Sequence, residues 1–187
     1  MELYSDKYYI ERIRAGELSC YACLVDRYGR KIHSLISQMV RTREDAEELS
    51  QDVFMKAFRH LDSFKGESSF STWLYRIAYN TAISETRKKK REYLAIEEAQ
   101  IENVSEEQIA AAMGISDEQE QIRRLELAME QLPPNDKALI LLFYMEDKSV
   151  EEIAQISGLS QSNVKTRMHR IRKKLYVILN EMEEIDV

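Results

Sequence analysis

Only five glycines and two prolines punctuate a chain of 187 residues, where average usage would make roughly 12% of positions one or the other. A sheet fold reverses every few residues and draws on those residue types at each turn. So few breakers leave room for long helices and little else. Apolar residues make up 44% of the chain, enough to fill packed cores and to set it apart from disordered sequences. The length accommodates one domain or two small ones.

Apolar spacing agrees. Leu24, Val25, Tyr28, Ile32, Leu35, Ile36 and Met39 recur at three- and four-residue intervals, which predicts helix over 6–40 with a break near Gly16. Thr42 is an N-cap for a helix reaching Leu61, with Asp45 three residues on, in capping-box spacing, and its apolar stripe of Ala46, Leu49, Val53, Ala57 and Leu61 is widened by Phe54 and Phe58. Residues 62–69 read as a loop, and a further helix runs from about Ser69 to Arg91. Residues 93–118 lack aromatics after Tyr93 and read as a linker with at most a weak helix. Helical pattern resumes at Glu118, breaks at Pro133-Pro134 and restarts there, because proline fits a first helical turn. Ser149-Val-Glu-Glu152 is a capping box, Gly158-Leu159 a turn, and Ser160 caps a last helix to about Glu183. The expected fold is all-α: two small helical bundles, 1–92 and 119–187, joined by a flexible acidic linker at 93–118.

Charge is divided unevenly. Residues 1–92 carry 17 basic and 14 acidic side chains, 93–132 carry 2 and 10, and 133–187 carry 8 and 9. Within the last block, Ser160 to Leu175 holds six basic residues and no acidic one. Two basic clusters flanking an acidic middle suit nucleic-acid contact at two places.

Ser149 to Leu175 fits a helix-turn-helix: Ala154 allows close helix approach and Gly158 a left-handed turn. Val164, Met168, Ile171 and Leu175 form one buried face of the second helix, opposite Ser162, Lys165, Thr166, His169, Arg170 and Lys173. That outer face mixes cations for phosphate with groups able to bond base edges. Lys173 and Lys174 are expected mainly on phosphate. In the first half, Phe70, Trp73, Leu74, Ile77, Ala78 and Thr81 make a buried stripe opposite Thr72, Arg76, Asn80, Ser84 and Arg87. Phe64 on the preceding loop suits stacking against an extruded base or closure of the core, and the sequence leaves both open.

The succession Asp45 to Phe58, Leu61 to Gly66 and Phe70 to Asn80 resembles domain two of the extracytoplasmic-function group of bacterial sigma factors. Leu132 to Lys137 and Ser149 to Leu175 resemble domain four of the same group. The resemblance implies a factor that joins core RNA polymerase, reads the −10 and −35 promoter elements and opens the duplex. It puts polymerase docking on Asp45, Glu48, Gln51 and Asp52. It puts −10 recognition on Phe64, Thr72, Arg76, Asn80 and Arg87, and −35 recognition on the outer face of the last helix. It leaves room for an anti-sigma partner. The competing reading is an autonomous dimeric helix-turn-helix regulator, which would leave Phe64 to Asn80 unexplained.

Catalysis has no visible seat. No phosphate loop or nucleophile motif occurs, so an enzyme is not expected, and neither is a cofactor. Cys20 and Cys23 with three scattered histidines do not make a four-ligand metal site. The longest apolar run, Ala138 to Met145, is eight residues, where a membrane span needs about 20. Met1 to Arg14 carries no apolar leader segment. A soluble cytoplasmic protein without membrane insertion is expected.

Overall fold

The computed structural model describes residues 4–88, 98–112 and 118–185. The basic run at 89–91 and parts of the expected linker lie outside these. Among the described residues there are ten α-helices and no strand.

The first half is built on α1 (Asp6–Arg14), α2 (Tyr21–Met39), α3 (Arg43–Arg59) and α4 (Phe70–Lys88). Gly16, at φ 101°, separates α1 from a 3-10 turn at Leu18–Cys20 that leads into α2. Thr42 caps α3 as expected, its hydroxyl accepting from the Asp45 backbone N–H at 3.1 Å. Leu24, Ile32 and Ile36 of α2, Val53 and Ala57 of α3, and Leu74, Ala78 and Ala82 of α4 are fully sequestered. The alanines let the three helices approach closely. Asp6 pins α1 to α2, accepting from Arg27 and from the Tyr28 hydroxyl. Cys20 and Cys23 are free thiols, half-buried against this core.

The second half comprises α7 (Glu118–Glu130), α8 (Pro134–Tyr144), α9 (Val150–Ser157) and α10 (Gln161–Ile185). The apolar run Ala138 to Leu142 is buried all round α8, where no side of the helix meets water. Burying each leucine there is worth about 1.5–3 kcal/mol. The expected capping box on α9 is present in both directions, at 3.1 and 3.0 Å. Gly158 sits at φ 76°, a left-handed conformation that any L side chain would strain. Val164, Met168, Ile171 and Leu175 are buried along α10 as the spacing predicts. Asp136, 3% exposed, receives Arg167 and Lys174 of α10, each at 2.8 Å.

Two features exceed the sequence reading. Between the halves lie α5 (Glu98–Glu102) and α6 (Glu106–Ala112), which rest on α10. Val104 and Ile109 pack with Val177 there, so this part of the linker is docked as well as connecting. The two halves also lie against each other: α4 meets α9 and α8, and α2 meets α8, so one apolar core runs through both. Tyr75 and Tyr79 of α4 are 1% and 7% exposed, and their hydroxyls reach Glu146 and Asn135 of the second half.

Candidate nucleic-acid interface

On α4, Arg76, Asn80, Ser84 and Arg87 are exposed and follow one another at three- and four-residue spacing, one continuous strip. Beside its N-terminal end, a cleft of about 490 Å³ is lined by Phe64, Lys65, Ser68, Trp73, Arg76 and Gln155. Phe64 is half-buried and serves both readings left open by the sequence. Its ring stands edge-on to Phe70 and tilted against Trp73, at centroid distances of 5.9 and 5.2 Å, while it also lines the cleft. The loop is held in place by Arg14, whose guanidinium donates to the carbonyls of Leu61 at 2.8 Å and Phe64 at 2.6 Å. Gly66, at φ 75°, makes the turn that follows.

Thr72, expected on this open face, lines the cleft but is almost wholly covered. It is 2% exposed, and its hydroxyl donates to the Glu152 carboxylate of α9 at 3.1 Å. The α4 strip therefore starts at Arg76 in this arrangement. The sequence could not show this, because the group that covers Thr72 comes from 80 residues further along.

On α10, Ser162, Lys165, Thr166 and Arg170 are exposed, with His169 and Lys173 half-exposed beside them. All six expected residues share one outer face. His169 pairs through Nδ1 with Glu106 of α6 at 2.8 Å. Lys174 does not belong with Lys173: it is spent on buried Asp136, as is Arg167. A periodic reading placed it near phosphate because Asp136, its actual partner, is remote in sequence.

On α3, Glu48 and Gln51 are exposed, Asp45 and Asp52 are half-exposed, and Asp52 pairs with Lys56 at 2.6 Å. Met55 and Phe58 continue this surface, 52% and 40% exposed. Phe58 was expected to widen the buried stripe. Only its edge is engaged, against the Tyr21 ring at 4.9 Å. An apolar pair exposed next to carboxylates is a signal that spacing alone assigns to the core.

Both halves of the chain are similar to known proteins. Residues 24–92 match Sigma-70 region 2, and residues 122–175 match Sigma-70, region 4. The chain is 34% identical over 180 residues to the ECF RNA polymerase sigma factor SigW of Bacillus subtilis, covering 92% of this chain and 96% of that one. It is 34% identical to the ECF RNA polymerase sigma-E factor of Escherichia coli K12, covering 93% and 94%. Among solved structures, CnrH, in complex with the cytosolic domain of CnrY, has a similar fold, with a TM-score of 0.69 at 23% identity over 94% of this chain and 97% of that one. The sigma factor RpoE from Bartonella quintana, in complex with the anti-sigma factor NepR, follows at 0.60 and 24%, over 83% and 94%.

Proposed function

The chain belongs to the ECF family of RNA polymerase sigma factors, and we propose which of its surfaces carries each part of that role. A sigma factor performs no catalysis of its own. It directs core polymerase to promoters, and the dimeric-regulator reading has no support. The first half, residues 1–92, is assigned to polymerase docking and the −10 element, the second, 119–187, to the −35 element, with 93–118 between them.

Docking falls to Glu48, Gln51 and Asp52, with Asp45 at the start of the helix and Met55 and Phe58 as an apolar continuation. Carboxylates suit a basic partner surface, and a desolvated aromatic beside them supplies contact area. Phe64, Arg76, Asn80 and Arg87 take the −10 strand: a base extruded from the duplex stacks in the cleft while the cations follow its backbone. Lys165, Thr166 and Arg170, flanked by Ser162, His169 and Lys173, read the −35 major groove. The observation that supports this assignment is the outer face of α10 from Ser162 to Lys173, which carries no acidic residue of its own and is largely exposed, while Val164, Met168, Ile171 and Leu175 of the same segment are buried beneath it.

No helix among the described residues is long and apolar enough to cross a membrane, which suits work beside polymerase in the cytoplasm. An anti-sigma protein is a further partner we assign by analogy with the Bartonella complex. The apolar groove of about 1010 Å³ between α2, α7, α8 and α10, lined by Met39, Leu125, Met129, Ile140 and Met145, offers it a seat.

Reconstitution with core polymerase tests the assignment. Tight, asymmetric promoter protection is expected only for the holoenzyme, and Glu48→Lys is expected to weaken assembly by about 1 kcal/mol or more. Symmetric protection of a palindrome by the chain alone would overturn it.

A further inference from the structure

Cys20 and Cys23 are the only cysteines of the chain, and none of the three surfaces assigned above uses them. They stand where a 3-10 turn passes into a helix. Cys20 ends the turn Leu18–Cys20 and is the N-cap of α2, and Cys23 lies in the first turn of α2. The backbone of Cys20 is itself helical, at φ −63° and ψ −19°, so Cys20-Tyr21-Ala22-Cys23 forms one continuous helical turn. Residues three apart in such a turn share a face, with Cα atoms about 5 Å apart. That separation lies inside the range of about 4.4–6.8 Å found across disulfides. Both thiols are free and half-buried, and Ala22 between them is exposed and small. Tyr9 of α1 contacts Cys23, and Arg12 of α1 lies near Cys20. Partly exposed thiols beside a cation are the ones that react, whereas thiols sealed in apolar surroundings are inert.

Closing the pair costs some movement. Cβ atoms three residues apart on a helix stand about 5–6 Å apart, and a disulfide draws them about 1–2 Å closer. The Cys20 end is the one able to give. Its N–H is held by the Glu17 carbonyl of the short turn, at 3.0 Å, and Gly16, at φ 101°, precedes that turn with open space around it. Cys23 is fixed within α2, beside the fully buried Leu24. Tyr21 follows Cys20 directly and moves with it. The Tyr21 hydroxyl donates to the Phe54 carbonyl of α3 at 2.6 Å, and its ring meets the Phe58 ring at 4.9 Å. A shift at Cys20 therefore reaches the exposed apolar end of α3.

We propose that Cys20 and Cys23 are a reversible redox pair that exchanges with small-molecule disulfides, and that its closure weakens polymerase docking through Tyr21. One cysteine thiolate attacks the S–S bond of the small disulfide, forming a mixed disulfide and releasing one thiolate of the reagent. The other cysteine thiolate attacks the protein sulfur of that mixed bond and releases the second. The protein dithiol loses two electrons and two protons, and the reagent gains both and leaves as two thiols. Because the turn must give to close it, the bond is strained, and strained disulfides are the easily reduced ones. The docking consequence rests on the reading of α3 as the docking helix. If closure leaves about a third of the molecules with Met55 and Phe58 correctly placed, apparent affinity for core polymerase falls about threefold, because only that fraction binds.

The test uses the full chain. It is incubated with oxidised glutathione, free thiols are capped with iodoacetamide, and the intact mass is read. The wild type is expected to lose two hydrogens and to carry neither cap nor glutathione, and excess dithiothreitol is expected to return it to the doubly capped form. Cys20→Ser and Cys23→Ser each keep one thiol and are expected to stop with one glutathione bound. Thermal melts check that both fold, and alanine replaces serine in one that does not. Wild-type chains that stay doubly capped, carry glutathione on both sulfurs or link to one another overturn the pair, as does a failure of both single variants to take glutathione. For docking, the oxidised chain is freed of reagent before core polymerase is added. Its affinity is expected to be about threefold lower and to recover in chains reduced beforehand. The double variant Cys20→Ser with Cys23→Ser is expected to bind alike with and without the treatment. A closed pair with unchanged affinity overturns the coupling through Tyr21. Glu48→Lys tells that result from failure of the docking assignment: assembly weakens if the assignment holds and does not if it fails.

Discussion

Helices α4 and α10 are built to the same pattern and end in different situations. Each has an apolar stripe at helical spacing and an opposite face of amide, hydroxyl and basic side chains. On α10 most of that face is exposed, from Ser162 to Arg170, with Glu106 of α6 against His169. On α4 its first residue, Thr72, lies under α9, and the flanking Tyr75 and Tyr79 are buried with it. Periodicity therefore locates the side of a helix that must be covered, but not whether the remaining sides are free. For a DNA-reading helix that second question decides when it can act.

The contrast depends on α10 being held by its inner side, so the largest effect is expected where that hold is broken. Asp136→Ala removes the buried carboxylate that engages Arg167 and Lys174. The loss should be about 3 kcal/mol, at the low end for breaking a buried pair because both cations can still reach water. For a chain of this size that lowers the thermal midpoint by about 6–12 °C. A midpoint within a degree of wild type would mean that α10 needs no such anchor.

Next come the residues on α4 that remain open. Asn80→Ala and Phe64→Ala are expected to cut open-complex yield about ten- to hundredfold, the equivalent of about 1–3 kcal/mol for one stacked base. The fold should tolerate Asn80→Ala fully, since that side chain is exposed, and Phe64→Ala less well, since its ring also packs on Phe70 and Trp73. Permanganate footprinting on matched and pre-melted templates separates help with unpairing, where the defect shrinks on the pre-melted template, from base reading, where it persists.

What the sequence made legible follows the range of the interactions involved. The caps at Thr42 and Ser149, the turn at Gly158 and the α10 stripe are set by neighbours within four residues, and they stand where the spacing put them. The outer face of α10 was legible for the same reason. Thr72, Lys174 and Phe58 were misread because their partners, or the lack of them, are decided across the fold. A lysine looks the same in sequence whether it meets phosphate or an aspartate 38 residues away. The packing of the two halves was hidden likewise, since a tyrosine at helical spacing does not declare which body it faces.

The Lys174 correction yields a sharper test of the open face. Lys165→Ala and Arg170→Ala are each expected to cost about 1–3 kcal/mol at one −35 base pair and to relax preference there. Lys173→Ala should weaken all promoters alike and reduce the salt slope by about one. Lys174→Ala should leave the salt slope unchanged and lower thermal stability instead. If Lys174→Ala also reduces the slope, the ion pair with Asp136 yields to DNA.

The smallest expected effect probes how open α10 really is. Glu106 of α6 sits on His169 at 2.8 Å, with the two side chains 60% and 44% exposed, so water screens the pair heavily. Such pairs are worth about 0.2–1 kcal/mol. Glu106→Gln frees His169 and removes a negative charge beside a phosphate-binding face, and both changes favour duplex binding. Affinity of the full chain for a −35 duplex, read by anisotropy, should rise by less than about fivefold, and the gain should shrink between about 50 and 200 mM salt as screening grows. No change at low salt would make the contact inert toward DNA. A gain above about tenfold would break the contrast between the two helices, because it would mean that the acidic linker covers part of α10 much as α9 covers Thr72 of α4.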